Sequence, residues 1–263
     1  SQASSPETDK ALSAVRMVGA IRGHSAVPEL TKQLSDKRAN VREQVLKTLM
    51  LLEGSEFAVP SLLKELEVSK SVSWSTQIIN ALASIADPAA AEAFMRVLKN
   101  ENSAKMTQAA IVGLQKVLWV ESVPLIVKQL THRKSGVRNA AYKALHYITN
   151  HRMGRGKAAV RKWSKWLDKY GKEGRIAWVK RGFESRYKIR LAKKPKKAIK
   201  QLIKLIYTGG AAALNAMAVI KELTGFSMKR AHFSDRQMYR FYMTWLRDGM
   251  PTGNSDGSTI PSG

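Results

Sequence analysis

The sequence predicts an all-α chain, an α-α superhelix in which antiparallel helix pairs stack as a right-handed solenoid. Three observations predict it. A short segment recurs at multiples of 32 residues: Ala26-Val27-Pro28-Glu29-Leu30 returns as Ala58-Val59-Pro60-Ser61-Leu62 and again as Ser122-Val123-Pro124-Leu125-Ile126. Apolar residues within each unit follow helical spacing, as in Val27, Leu30 and Leu34, or Val123, Ile126, Val127 and Leu130. A two-helix unit of this length can bury its apolar face only against a neighbour, so the units must stack.

Four units open near residues 26, 58, 89 and 122, the third at Asp87-Pro88. A proline near each start suits a helix's first turn, where its missing N–H leaves no bond unmade. A polar break follows, SDKRAN in the first unit and THRKSG in the fourth. The second helix then carries Val41, Val45, Leu49 and Leu52, which align with Val137, Ala141, Leu145 and Ile148. The middle units keep the pattern with one extra residue, through Ile78, Leu82 and Ile85, then Ala110, Leu114 and Val117.

The flanks complete the array. Asp9–Arg22 reads as a cap helix, with Thr8 or Asp9 as N-cap and Gly23 as stop. Ala198–Tyr207, Ala211–Leu223 and Gln237–Arg247 read as three later helices, Gly225 being suited to a left-handed cap. The expected organisation is a disordered leash at 1–8, a cap helix and four repeats at 9–150, a basic Trp-containing helical extension at 151–197, a helical pair and last helix at 198–247, and a disordered tail at 248–263.

The unit AVPELTKQLSDKRANVREQVLKTLMLL resembles the HEAT-repeat family, of the short bacterial kind also found in phycobilisome-lyase-like proteins. Pro28, Asp36, Val41 and Arg42 match that family's pattern. Pro124, Val137 and Arg138 match it in the fourth unit, where His132 stands in place of the Asp. Units two and three lose both the Asp and the Arg. The resemblance implies the solenoid fold and leaves function open. Residues 149–200 break the rhythm and resemble an extension of some bacterial HEAT proteins, on Thr149, Gly154, Trp163, Trp166, Trp178, Gly182 and Phe183. Leu223-Thr224-Gly225 with Trp245-Leu246 is a weaker echo of the same text.

Composition bounds the function. The chain has 263 residues, 44% of them apolar, and no cysteine, which excludes disulfides, thiol catalysis and Cys-based zinc sites. No apolar run reaches the length of a membrane span. The formal charge is +25. Residues 151–200 hold 19 Lys and Arg against three Asp and Glu, so about a fifth of the chain carries most of that excess. A solvated face does not need such an imbalance, and its self-repulsion is unfavourable. An anionic partner is the alternative. The candidate anion-binding residues are Arg155, Lys157, Arg161, Lys162, Lys165, Lys169, Arg175, Lys180, Arg181, Arg186, Lys193, Lys194, Lys196 and Lys197. Val160, Trp163, Leu167 and Tyr170 share one helix face and suit core packing. Trp166 and Tyr170 are the candidates for stacking on a base or sugar.

No catalytic motif is found: there is no phosphate loop, no HExxH and no GxSxG. The five histidines, His24, His132, His146, His151 and His232, read as incidental, and neither metal nor cofactor is expected. The expected function is a non-catalytic binding scaffold, a monomer holding a protein or an anionic polymer, nucleic acid among them. The alternative is a nucleic-acid-binding protein of HEAT-like DNA glycosylase type, a group that uses an Asp beside Trp residues; here Asp168 is two residues from Trp166, which points it to a different face of the helix. The polar N-terminus suits a segment behind an export signal or lipid anchor, which favours the bacterial envelope over the cytoplasm.

Overall fold

The computed structural model describes residues 6–100, 103–191, 195–228, 233–250 and 254–255. It is α-helical almost throughout. The helices are α1 (Pro6–Arg22), α2 (Val27–Lys32), α3 (Ala39–Leu51), α4 (Val59–Val68), α5 (Val72–Ile85), α6 (Ala91–Lys99), α7 (Ala104–Val117), α8 (Val123–Lys128), α9 (Ser135–Thr149), α10 (Gly156–Tyr170), α11 (Arg175–Tyr187), α12 (Pro195–Ile206), α13 (Gly210–Thr224) and α14 (Asp235–Arg247). Two compact units, Ser1–Ala141 and Tyr142–Gly263, divide within α9.

Within the first unit α1 packs on α3, α3 on α5, and α5 on α7, while α4 packs on α5 and α6 on α7. This is the antiparallel pairing and stacking that the 32-residue recurrence demands. The fold is an all-α, HEAT-like repeat. Its core is the set of recurring apolar positions, including Val27, Leu30, Val41, Val45, Leu49, Ile78, Leu82, Ala110 and Leu114, all buried.

The turn inside each repeat is held in one of two ways. In the first unit the Asp36 side chain accepts from the Arg38 backbone N–H at 2.8 Å, and Arg42 Nη1 donates to the carbonyls of Asp36 and Lys37. In the fourth, Arg138 Nη1 donates to the carbonyls of His132 and Arg133 at 2.8 and 2.9 Å. His132 Nδ1 accepts from the Lys134 N–H at 3.1 Å, so the histidine does the aspartate's work as an acceptor. Units two and three, lacking both residues, cap the second helix with Ser71 and Ser103, which accept from the N–H of Trp74 and Met106.

Two expectations concern the chain ends, where residues 1–5, 251–253 and 256–263 lie outside the described residues. The leash was expected to run to residue 8, but α1 begins at Pro6 and Thr8 is buried. Proline is free to start a helix, and Glu7 and Asp9 favour the positive end of its dipole. The tail was expected to be disordered from 248. Asn254-Ser255 instead pairs in parallel with Ser227-Met228, in the register Ser227 to Asn254 and Met228 to Ser255. A two-residue ladder has no periodicity that a sequence could display.

The second unit uses one local motif twice. Thr149 Oγ1 donates to the Leu145 carbonyl at 2.7 Å and accepts from the His151 N–H at 3.2 Å. Thr224 Oγ1 donates to the Ile220 carbonyl at 2.7 Å and accepts from the Phe226 N–H at 3.2 Å. The residue after each threonine, Asn150 or Gly225, has a left-handed φ of 63° or 73°. The ring after that packs on a helix: His151 lies 4.9 Å from Trp166 and 6.5 Å from Trp163, and Phe226 lies 4.4 Å from Trp245 and 5.5 Å from Tyr242. Helices α10 and α14 therefore answer to one another, each latched to the end of the preceding repeat helix by a threonine and a ring. The Trp-Leu echo in the sequence is the trace of this arrangement.

Helix α11 belongs to the first copy alone. It packs on α13 and meets the end of α9 at Gly182, where Asn150 Nδ2 donates to the Val179 carbonyl at 3.2 Å. A Cβ on Gly182 would fall 2.7 Å from the Asn150 carbonyl oxygen and 2.8 Å from Asn150 Cβ. The obstacle is backbone, which cannot swing aside. Gly182→Ala should therefore destabilise the second unit by about 1–3 kcal/mol, the usual range for overpacking, seen as a lower midpoint in urea. An unchanged midpoint would show that α11 stands off from α9.

Candidate functional site

The cations of residues 151–200 lie mainly on three helices, α10, α11 and α12. Helix α10 buries Ala159 and Trp163 and half-buries Val160, Trp166, Leu167 and Tyr170, the predicted apolar face widened by Ala159 and Trp166. Its opposite side exposes Lys157, Arg161, Lys162, Lys165 and Lys169, with Arg155 just before the helix. One carboxylate, Asp168, shares that side. Among the described residues none of these five helix cations has a carboxylate within ion-pair distance. The Arg155 guanidinium lies 4.8 Å from the centre of the Tyr142 ring.

Three cations of α11, Arg175, Lys180 and Arg181, are used inside the unit. Arg181 donates to both oxygens of Glu173 at 2.7 and 2.6 Å, which holds the Glu173 carboxyl below its usual range. Lys180 pairs with Glu222 at 2.6 Å. Arg175 is half-buried. Its Nη2 donates to Asn215 Oδ1 at 2.5 Å and to the Tyr147 carbonyl at 3.4 Å, while Nε makes no bond. Asn215, fully buried on α13, donates in turn to the His146 carbonyl. Arg175 thus faces the negative, C-terminal end of α9 in place of a carboxylate. Burial pulls its pKa below the usual arginine value.

Arg186 reaches back to α9. Its Nη1 lies 3.0 Å from His146 Nε2, and Arg152 Nη2 lies 3.2 Å from His146 Nδ1. His146 is 5% exposed, whereas Arg152 and Arg186 are exposed. Sequence reading treated this histidine as incidental and did not single out Arg152. The signal for the group is spatial, since Arg186 and His146 are 40 residues apart.

Lys196 and Lys197 are exposed on α12, with Lys200 and Lys204 continuing the same side opposite buried Ile199, Leu202, Ile203 and Ile206. Lys200 and Lys204 were missed, though the spacing Lys197, Lys200, Lys204 already carries the face. Lys193 and Lys194 lie outside the described residues.

The two stacking candidates sit in packing. Trp166 has His151, Trp163, Tyr170 and Trp178 around it, with ring centres at 4.9, 5.4, 5.8 and 5.3 Å. Tyr170 has the Arg181 guanidinium 4.2 Å from its centre and the Lys169 ammonium at 5.2 Å. A base stacking on Tyr170 would have to compete with Arg181. Asp168 is exposed among the α10 cations, on the side of the helix away from this ring cluster. No group of three His, Asp or Glu among the described residues could hold a metal ion, and no described helix is long and apolar enough to cross a membrane.

Burial pushes the His146 pKa down to about 3, and the charges of Arg152, Arg186 and His151 act in the same direction. An unfolded histidine titrates near 6.5. Between these values the unfolded chain binds a proton that the folded one refuses. Stability from this group is therefore full above pH 6.5 and is lost as pH falls toward 3. Lowering pH from 7 to 5 should cost the second unit about 2 kcal/mol of unfolding free energy, and His146→Gln should flatten that slope. Equal slopes in the two proteins would show that His146 titrates as an exposed residue does.

No family model matches the chain, and no curated protein matches it. Among solved structures it is similar to the complex of CpcE and CpcF of phycocyanin lyase from a Nostoc species. The sequence identity is 20% and the TM-score 0.49, over 84% of this chain and 91% of that chain. The paired, stacked helices of the first unit give this chain an all-α, HEAT-like repeat fold.

Proposed function

We propose that the protein is a non-catalytic HEAT-like scaffold that holds an anionic polymer against the outer face of α10, by charge and not by sequence. The observation that carries this reading is the contrast between neighbouring helices. On α11 the unit supplies Glu173 and Glu222 to Arg181 and Lys180, and hands Arg175 to backbone and amide oxygens. On α10, among the described residues, Lys157, Arg161, Lys162, Lys165 and Lys169 have no carboxylate within ion-pair distance, and Asp168 shares their side. Where this unit pairs its cations, it pairs them well. Five unpaired cations on one helix side repel each other unless something anionic lies across them.

Lys196, Lys197, Lys200 and Lys204 give α12 a second face of the same kind. Flexible lysines on a helix follow a phosphate backbone as point charges and carry no base readout. The test is binding of labelled duplex and single-stranded DNA at low and high salt. Binding that weakens steeply with salt supports the reading. Absence of binding at low salt removes nucleic acid as the partner.

A further inference from the structure

A neutral imidazole has one N–H and one acceptor nitrogen. Both ring nitrogens of His146 face guanidinium nitrogens, Arg152 Nη2 at 3.2 Å and Arg186 Nη1 at 3.0 Å. One guanidinium donates to the bare nitrogen. At the other nitrogen two N–H groups point at each other, whichever tautomer is present. The conflict cannot be relieved by protonation, which adds a second ring N–H and a third positive charge. Nor does a carboxylate serve the group: among the described residues neither arginine has an ion-pair partner. Besides His146, the Arg186 guanidinium has the Tyr187 ring beside it, at 5.0 Å. The groups around His146 from every side are Arg152 and His151 after its own helix, Arg186 on α11, and the amide of Asn215 on α13, which binds its carbonyl.

We infer that Arg152, His146 and Arg186 form a binding site for a phosphate-class oxyanion. Such an anion supplies what the group lacks, several acceptor oxygens on one centre. Each exposed guanidinium can turn its fork of N–H groups onto two of them, and the imidazole N–H that now faces a guanidinium can donate to a third. His146 is held for this at the end of α9, where the Asn150 N–H bonds its carbonyl at 2.9 Å and Asn215 Nδ2 lies 3.4 Å from it. The two arginines are exposed, so an anion reaches them from solvent while the buried ring forms the floor. The site uses none of the α10 cations and does not depend on the polymer reading.

The experiment is a titration of the full chain with inorganic phosphate at low salt, followed by the His146 ring proton signal and by calorimetry. Saturable binding is expected, with a shift of the His146 signal and a rise in its pKa as the anion offsets the two arginine charges. Arg152→Gln and Arg186→Gln should each weaken phosphate by about tenfold or more, the effect of removing a hydrogen bond to a charged group. A variant with Arg161, Lys162, Lys165 and Lys169 all changed to Gln should bind phosphate as the parent does. Methyl phosphate binding equally well would assign the site to a phosphate ester, and binding of inorganic phosphate alone to the free ion. Both arginine residues are on the surface, so both variants should fold, and their unchanged melting without phosphate checks this. The site is refuted if the parent shows no saturable His146 shift. It is refuted equally if Arg152→Gln and Arg186→Gln bind phosphate with parental affinity. Loss of DNA binding in the α10 variant with phosphate binding intact, or the reverse, tells the two readings apart.

Discussion

Trp178→Ala should lower the stability of the second unit by about 3–5 kcal/mol, the range for emptying a large aromatic site in a packed core. Trp178 is 2% exposed. Its Nε1 donates to the Tyr170 carbonyl at 2.7 Å, which closes the turn between α10 and α11. Its ring lies against Trp166, and its own carbonyl lies 3.2 Å from His151 Nε2. Truncation leaves a cavity, removes one of the two hydrogen bonds to the Tyr170 carbonyl, which keeps the Glu173 N–H at 3.0 Å, and loosens the ring cluster. Trp178→Phe keeps most of the volume and loses the N–H, so about 1–2 kcal/mol is expected. Thermal and urea unfolding measure both. A loss below about 1 kcal/mol for the alanine variant would place Trp178 at the surface, away from Trp166 and the Tyr170 carbonyl.

The second large effect is on binding. Replacing Arg161, Lys162, Lys165 and Lys169 with Gln should flatten the salt dependence of duplex DNA binding. Each phosphate contact contributes about 0.9 to the slope of log affinity against log salt, so the four together should remove roughly 3–4. Near 0.1 M salt that is a loss on the order of 10²–10³-fold. Changing Lys180 and Arg181 instead should leave the slope alone, because their charges are already spent on Glu222 and Glu173. It should reduce stability only slightly, since both pairs are partly exposed. Equal loss of slope from the two sets of changes would mean that binding reports net charge and not the face of α10.

The contrast between those two helices was hidden in the sequence, where residues 151–200 read as one basic stretch. Lys165 and Lys180 look alike in it. What separates them is the arrival of Glu222 from α13, 42 residues away. Tyr170 likewise looked free for stacking until Arg181 was seen across its ring. The glycine at 182 stood out in the text, but its reason is the carbonyl of Asn150 at the end of another helix.

By itself the sequence determined the helical repeat, its 32-residue recurrence, its buried positions and the charge of the segment that follows. All of these are local properties: helical spacing, turn residues and composition act over a few residues and leave their mark in order along the chain. Tertiary structure alone decided which cations are neutralised, which rings are covered, and that His146 lies between two arginines with no carboxylate. Some of those depend on side chains that meet across 40 to 69 residues, as with Arg186, Arg175 and Asn215, and others on meetings across a turn, as with Arg181, Glu173 and Tyr170; neither kind has a period to read.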